Sequence, residues 1–252
     1  MAGTARATVR YRHHRAAQEP LRALLRELAA ARPRFGYRRL TVLVRREQGA
    51  VNHKRVYRLY RLEGRAVRRR GRKRVARTAR VAPAVPQPGQ HWAMDFMQDS
   101  LAAVRPFRTL NIADLATREC LAIEVDTSLP GARVVRVLAR RCEVHGRPAT
   151  ITMDNGPEFA GLALDAWAYK EGVQLDFIDP GKSMQNGHLE SFNGKFRDEC
   201  LNQHWFTDLD DARATIAAWR EDDNSVRPHS ALGNLTPVEF AHRLRQPGKL
   251  SA

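Results

Sequence analysis

Apolar positions along the chain change period once, and the change divides it. In residues 19–31, EPLRALLRELAAA, Leu21, Leu24, Leu25 and Leu28 recur at three- and four-residue spacing, the period of one helical face, and Pro20 suits a first turn. A second helix is predicted from Tyr37 to Glu47, broken by Gly49. Asn52 then caps a third that runs to Glu63, with Gly64 as its stop. Beyond residue 90 the pattern alternates instead: in HWAMDFMQDS, residues 91–100, Trp92, Met94 and Phe96 share one face and Ala93, Asp95 and Met97 the other. Residues 108–117 and 120–128 read as two further strands, antiparallel neighbours of the first.

Helical period then returns over 132–145, with Val134, Val135, Val137, Leu138 and Val144, and Gly146 ends it before a strand that leads into Asp154. A helix around 159–171 and a short strand, VQLDFID, follow. In residues 181–201, GKSMQNGHLESFNGKFRDECL, Leu189, Phe192 and Phe196 form a buried stripe, while Glu190, Asn193, Gly194 and Arg197 align on a neighbouring face. This order predicts a mixed sheet with helices. Between the two patterns, residues 75–90 hold three prolines and no amphipathic period, which reads as a linker. No internal repeat or sustained heptad pattern is visible.

Charge falls unevenly on this plan. The 252 residues carry a formal +16, and 43% hydrophobic content is ordinary for a folded protein. Residues 1–80 hold 25 Lys+Arg against 4 Asp+Glu, a net +21, whereas residues 81–252 hold 18 against 23, a net −5. A basic module that grips a polyanion, joined to a part that keeps many carboxylates, fits an enzyme working on nucleic acid. In the third helix Val56, Leu59 and Tyr60 form one stripe, and Lys54, Arg58, Arg61 and Arg65 another, with Arg55 beside them. Helix, short turn, helix with one basic face outlines a DNA-binding helix-turn-helix, continued by RRRGRKR at 68–74. A solvated charged face is the plainer reading of such a helix, but here all the charges share one sign.

Cys120, Cys142 and Cys200 are far apart and make no C-x-x-C pair, so neither a disulfide framework nor a thiolate zinc site is indicated and a reduced cytosol is expected. No apolar run approaches membrane-spanning length, and the Arg-rich first residues lead into no export core.

Three carboxylates then ask for a reason. Asp95 stands mid-strand, where Asp is depleted, although an exposed sheet face would excuse it. Asp154 opens D-N-G, which is also an ordinary turn signal. Glu190 lies in a helix's first turn, where the dipole favours acids. Metal-dependent phosphodiester chemistry explains all three together, because hard Mg²⁺ or Mn²⁺ takes carboxylate oxygens.

Asp95, Asp154 and Glu190, the last two separated by 35 residues, within DNGPEF and QNGHLESFNGKFRDECL, resemble the DDE core of the retroviral-integrase superfamily. Within it, RFGYRRL, VNHKRVYRLY, HWAMDF, TRECLAIEVD, NQHWF and VRPHSALGNLTPVEF resemble the second-frame (OrfB) transposases of the insertion-sequence-three family, over nearly the whole chain from Arg32 to Phe240. The resemblance implies an α/β fold, an RNase-H-like core with a mixed five-stranded sheet and flanking helices, preceded by an all-α helix-turn-helix domain. The expected division is 1–74 for the basic region, 75–90 for the linker, 91–245 for the catalytic core and 246–252 for a tail. By the same resemblance Asp95, Asp154 and Glu190 bind two Mg²⁺ or Mn²⁺ ions. Water and then a freed 3′-hydroxyl attack phosphodiesters, with no covalent protein intermediate. Asn155 and Gly156 shape the turn that presents Asp154. Asn193, Lys195 and Arg197 are expected at DNA, and Gly194 leaves a DNA backbone room to approach. Arg197 also suits an i,i+4 ion pair.

The family pattern is not matched everywhere. Ala113 precedes Asp114 where two acids are common, and Asp223 stands before Asn224 where an aromatic is usual, so lowered stability or activity of this copy is an expectation. The chain begins at Met1 with no leucine zipper, so terminal-repeat recognition is expected to lie elsewhere, and an upstream OrfA product or an OrfAB fusion is an expected partner; His13 and His14 lack the partners of an integrase zinc domain. The expected partners are insertion-sequence terminal repeats, target DNA and further copies of the chain, in the bacterial cytoplasm and nucleoid. A DNA-binding regulator or decayed copy without catalysis is the alternative, and a ribonuclease-H-type nuclease a weaker third reading.

Overall fold

A computed structural model describes residues 18–65, 67, 87–156, 159, 161–178 and 187–245. The expected basic run at 68–74, most of the linker, His13, His14 and the tail lie outside the described residues. The chain divides into two compact units, Met1–Arg72 and Lys73–Ala252.

The first unit holds α1 (Glu19–Ala31), α2 (Tyr37–Gln48) and α3 (His53–Leu62). The predicted stripes are its core: Leu21, Leu25 and Leu28 pack with Leu40, Leu43 and Val44 and with Val56, Leu59 and Tyr60. Asn52 caps α3, its Oδ1 accepting from Lys54 N at 2.9 Å. The third helix ends one residue before the expected Glu63. Glu63 instead turns inward as the C-cap, where its carboxylate accepts from Arg22 Nε at 2.6 Å and from Arg26 at 3.4 Å, tying α3 to α1.

The second unit is built on a five-stranded sheet of order β3-β2-β1-β4-β5, comprising β1 (His91–Ser100), β2 (Pro106–Asp114), β3 (Cys120–Asp126), β4 (Thr150–Met153) and β5 (Gln174–Phe177). β1, β2 and β3 are antiparallel in turn, while β4 runs parallel to β1 and β5 parallel to β4. The longer links that parallel pairing requires are α4 (Gly131–His145) and α5 (Leu162–Glu171). After β5 come α6 (Gly187–Glu199), α7 (Leu209–Ser225) and α8 (Pro237–Arg245).

The alternation in β1 sorts two cores. Trp92 and Met94 pack with Leu110, Ile112 and residues of α4 and α5. Ala93 packs with Phe107 and with Leu189, Phe192 and Phe196 of α6. The helix expected from 159 begins at Leu162, because Gly161 stands at its N-cap in an extended conformation. Phe159 is a fully buried turn residue stacked on Phe96, ring centroids 4.7 Å apart. Both family departures fall on built positions. Ala113 is buried in the sheet, and Asp114 alone serves the turn that follows, accepting from Ala116 N and Thr117 N on one oxygen and Gly89 N on the other.

Candidate active site

β1 carries Asp95 onto the face that α6 covers, since Ala93 and Asp95 share a side of the strand. One carboxylate oxygen accepts from Phe96 N at 2.8 Å; the other accepts from Asn193 Nδ2 at 2.6 Å. Asn193 is itself buried, and its Oδ1 accepts from Asn111 Nδ2 at 2.8 Å. Asn111 is the register partner of Asp95 across β1 and β2. The helix that bears Glu190 therefore also grips Asp95, three residues further on.

Asp154 follows β4, exposed. Its Oδ1 accepts from Gly156 N at 3.1 Å, and Asn155 Nδ2 donates to the Ile178 carbonyl at 2.9 Å, tying the turn to the exit of β5. The turn and the presented carboxylate are thus one arrangement. Glu190 is exposed in the first turn of α6.

Burial pushes the Asp95 carboxyl up to about 6, and the negative charge of Asp154 adds to it, with a smaller push from Glu190; the Phe96 and Asn193 hydrogen bonds act the other way. Like charges held against one another around a half-buried acid make a site that favours a cation. The donors are all hard carboxylate oxygens, which suits Mg²⁺ or Mn²⁺. Among the described residues, no three His, Cys, Asp or Glu side chains stand close enough to share one ion as folded.

The other expected contact residues fall in different settings. Asn193, expected at DNA, is inside the protein with its amide engaged by Asp95 and Asn111. Arg197 donates to the Gln98 carbonyl of β1 at 2.9 Å. Lys195 is half-buried, and its charge acts on His188 and Asp223. A Cβ at Gly194 would meet no atom within 4 Å, so the fold itself places no demand for glycine there. On α3, Lys54, Arg55 and Arg61 are exposed and Arg58 is half-buried; Arg65, three residues past the helix, is exposed. Arg55 Nε donates to Gln18 at 2.8 Å, and Gln18, Asn52, Lys54, Arg55 and Arg58 line an open groove at the start of the helix.

Sequence reading missed Asn111 and a buried charged group at the end of α7. Asp223 and Arg227 are each 1% exposed. Arg227 reaches Asp223 Oδ1 at 3.1 Å and both carboxylate oxygens of Glu199, and His229 Nε2 lies 3.1 Å from the Asp223 carbonyl. Burial raises the Asp223 carboxyl, but the His229 hydrogen bond and the Arg227 charge outweigh it and hold the group below its usual value. Asn224 meanwhile donates to and accepts from the backbone of Cys120, pairing the outer edge of β3 at 2.9 Å in both directions. Arg227 and His229 lie in VRPHSALG, which carries no hydrophobic period.

An acid on a central strand, another after its parallel neighbour and a third on a covering helix define an integrase-type core. The match of residues 85–183 and of 171–237 to integrase core domain models, and of 16–74 to an HTH-like domain model, agrees with that class. The chain is 51% identical over 228 residues to the insertion element IS407 uncharacterized 31.7 kDa protein of Burkholderia multivorans, covering 90% of this chain and 82% of that one. It is 46% identical over 230 residues to the insertion element IS476 uncharacterized 39.2 kDa protein of Xanthomonas euvesicatoria, covering 91% of this chain and 66% of the other. A chain of the simian T-cell lymphotropic virus intasome, solved with PP2A regulatory subunit B56 gamma, shares the fold at TM-score 0.57 and 13% identity, over 90% of this chain and 76% of its own. The chain belongs to the insertion-sequence-three family of transposases, as a second-frame (OrfB) member.

Proposed function

We propose that the chain catalyses divalent-metal-dependent DNA strand cleavage and strand transfer at the ends of an insertion sequence, with Asp95, Asp154 and Glu190 as the ligands of one or two Mg²⁺ or Mn²⁺ ions. The observation that carries this reading is the Asp95 carboxylate held by Asn193 of the Glu190 helix, with the Asp154 charge set against it. The bound ion supplies activation of the attacking oxygen and charge neutralisation at the phosphodiester. Asn193 orients one Asp95 oxygen, and its own orientation is set by Asn111. The Gly156 N–H and the Asn155 tie hold the Asp154 turn. The exposed cations Lys54, Arg55 and Arg61 of α3, with Arg58 and with Arg65 just beyond the helix, take DNA phosphates, and Arg197 borders the site on α6.

Such a reaction pairs two DNA ends, so the working form is a multimer on DNA, with the upstream OrfA product or an OrfAB fusion contributing to end recognition. DNA as substrate places it in the bacterial cytoplasm, at the nucleoid. Among the described residues no helix is long and apolar enough to cross a membrane.

Labelled DNA carrying the ends of the parent element, incubated with Mg²⁺ and the upstream product, tests the reading. Cleavage and transfer by the native chain and a loss of at least about 10³-fold in Glu190→Gln are expected, beyond the 10–100-fold usual for a supporting residue. Full activity in Asp154→Ala would sink it. Intact DNA binding with no cleavage from any form would leave a DNA-binding regulator.

A further inference from the structure

α6 is held at two places on two different sides. Near its start, Asn193 reaches Asp95. In its last turn, Glu199 receives both terminal nitrogens of Arg227, the second at 2.6 Å. Glu190 and Glu199 are nine residues apart, about two and a half turns, so they project from opposite sides of the helix. Arg227 is fixed in turn by Asp223 from the last turn of α7, and His229 closes on the same acid.

An arginine and an aspartate this deeply buried are an expensive way to hold two helices together, since well-packed apolar side chains of similar volume do so at least as well. What the bidentate pair adds is direction: a guanidinium fork meets a carboxylate in one plane, which fixes rotation of α6 about its axis and sliding along it. Apolar contacts of Phe192 and Phe196 limit neither so sharply. A rotation that moved Glu199 would move Glu190 by the same angle.

We infer that Arg227, anchored by Asp223, is a positioning residue for the candidate metal site: its fork on Glu199 sets where α6 presents Glu190 against Asp95. The inference rests on the reading of Asp95, Asp154 and Glu190 as metal ligands, and it extends that reading to residues that touch neither metal nor DNA.

The test measures Mn²⁺ binding to the full chain without DNA, from the free-ion electron paramagnetic resonance signal, beside a thermal melt. Arg227→Lys keeps the charge and loses the fork, and Glu199→Gln keeps the shape and loses the charge. Both are expected to weaken Mn²⁺ binding by about 10–100-fold at temperatures well below their melting point. A role in stability alone would lower the melting temperature and leave the affinity of the folded protein where it was, and that result in either single variant overturns the inference. Should Arg227→Lys fail to fold, Glu199→Gln carries the same test. A native chain that binds Mn²⁺ no better than Asp154→Asn would remove the metal-site reading itself, and the positioning role with it. Native binding above that of Asp154→Asn, unchanged in Arg227→Lys, overturns the positioning role alone.

Discussion

Glu63 in the helical unit and Asp95 in the sheet unit are both acids packed into their folds, and their surroundings act on them in opposite directions. The Arg22 hydrogen bond, with Arg26 behind it, holds the Glu63 carboxyl below its usual value. Burial and the Asp154 charge lift that of Asp95 to about 6. In the first unit every acid that turns inward meets a cation, and the remaining cations of α3 are left facing out. In the second, Glu199 and Asp223 share Arg227, but the charges acting on Asp95 are those of Asp154 and Glu190. The contrast teaches where each unit's partner belongs: the helical unit is complete and offers charge to a polyanion, while the sheet unit is short of positive charge at one place.

The sharpest way to break that contrast is to remove the outward charge. Replacing Lys54, Arg55, Arg58 and Arg61 together by Ala is expected to weaken DNA binding by about 10²–10³-fold near physiological salt. The dependence of log K on log salt should flatten by up to about 3.6, since each lost phosphate contact removes about 0.9. Helical content should be unchanged, because none of the four belongs to the buried core of the unit. Filter binding across a salt series reads both numbers. A slope equal to that of the native chain would mean that α3 does not face DNA.

A smaller effect is expected from the residue that links the acids. Asn193→Leu takes away a donor to Asp95 and strands the Asn111 amide, so strand transfer should fall about 10–100-fold with some loss of stability. Adding Asn111→Leu should restore part of the stability, because the Asn111 amide is no longer stranded, and should leave activity low, because Asp95 still lacks its donor. Recovery of activity in the double variant would make the pair a packing device only.

Asn193 also marks the limit of what the sequence discloses. The period of Leu189, Phe192 and Phe196 places α6 and its Glu190 correctly, and D-N-G announces the Asp154 turn, because those signals are local. The helical face alone puts Asn193 beside Glu190 at the surface. Whether such a residue looks outward or bonds an acid on a strand 98 positions away depends on packing between elements. Residues 209–245 were opaque for a related reason. α7 buries Ala212 and Ile216 but also Asp223 and Asn224, so its inner face mixes apolar and polar residues and shows no clean period. Phe159 misleads in the opposite sense, as an apolar residue in helical step with α5 that the Gly161 cap leaves in the preceding turn.

The finest test asks whether the converging acids cost the metal-free fold anything. A carboxyl whose folded pKa lies near 6, against 3.8 for its usual value, favours the folded state fully while protonated, below about pH 4. That advantage is lost as pH rises from about 4 through 6, so at pH 7.5 the ionised Asp95 weighs against folding. Asp95 is half-buried, and solvent screening trims the effect, which leaves on the order of 1–2 kcal/mol. Asp95→Asn keeps an acceptor for Asn193 and removes the charge. In chelator at pH 7.5 it should therefore melt roughly 2–6 °C above the native chain, and the two should converge near pH 4. Mg²⁺ should reverse the order, because only the native site gains an ion that binds the folded state. A native chain that melts above Asp95→Asn in chelator at pH 7.5 would mean that the acids are balanced by neighbours within the fold, and the contrast with Glu63 would disappear.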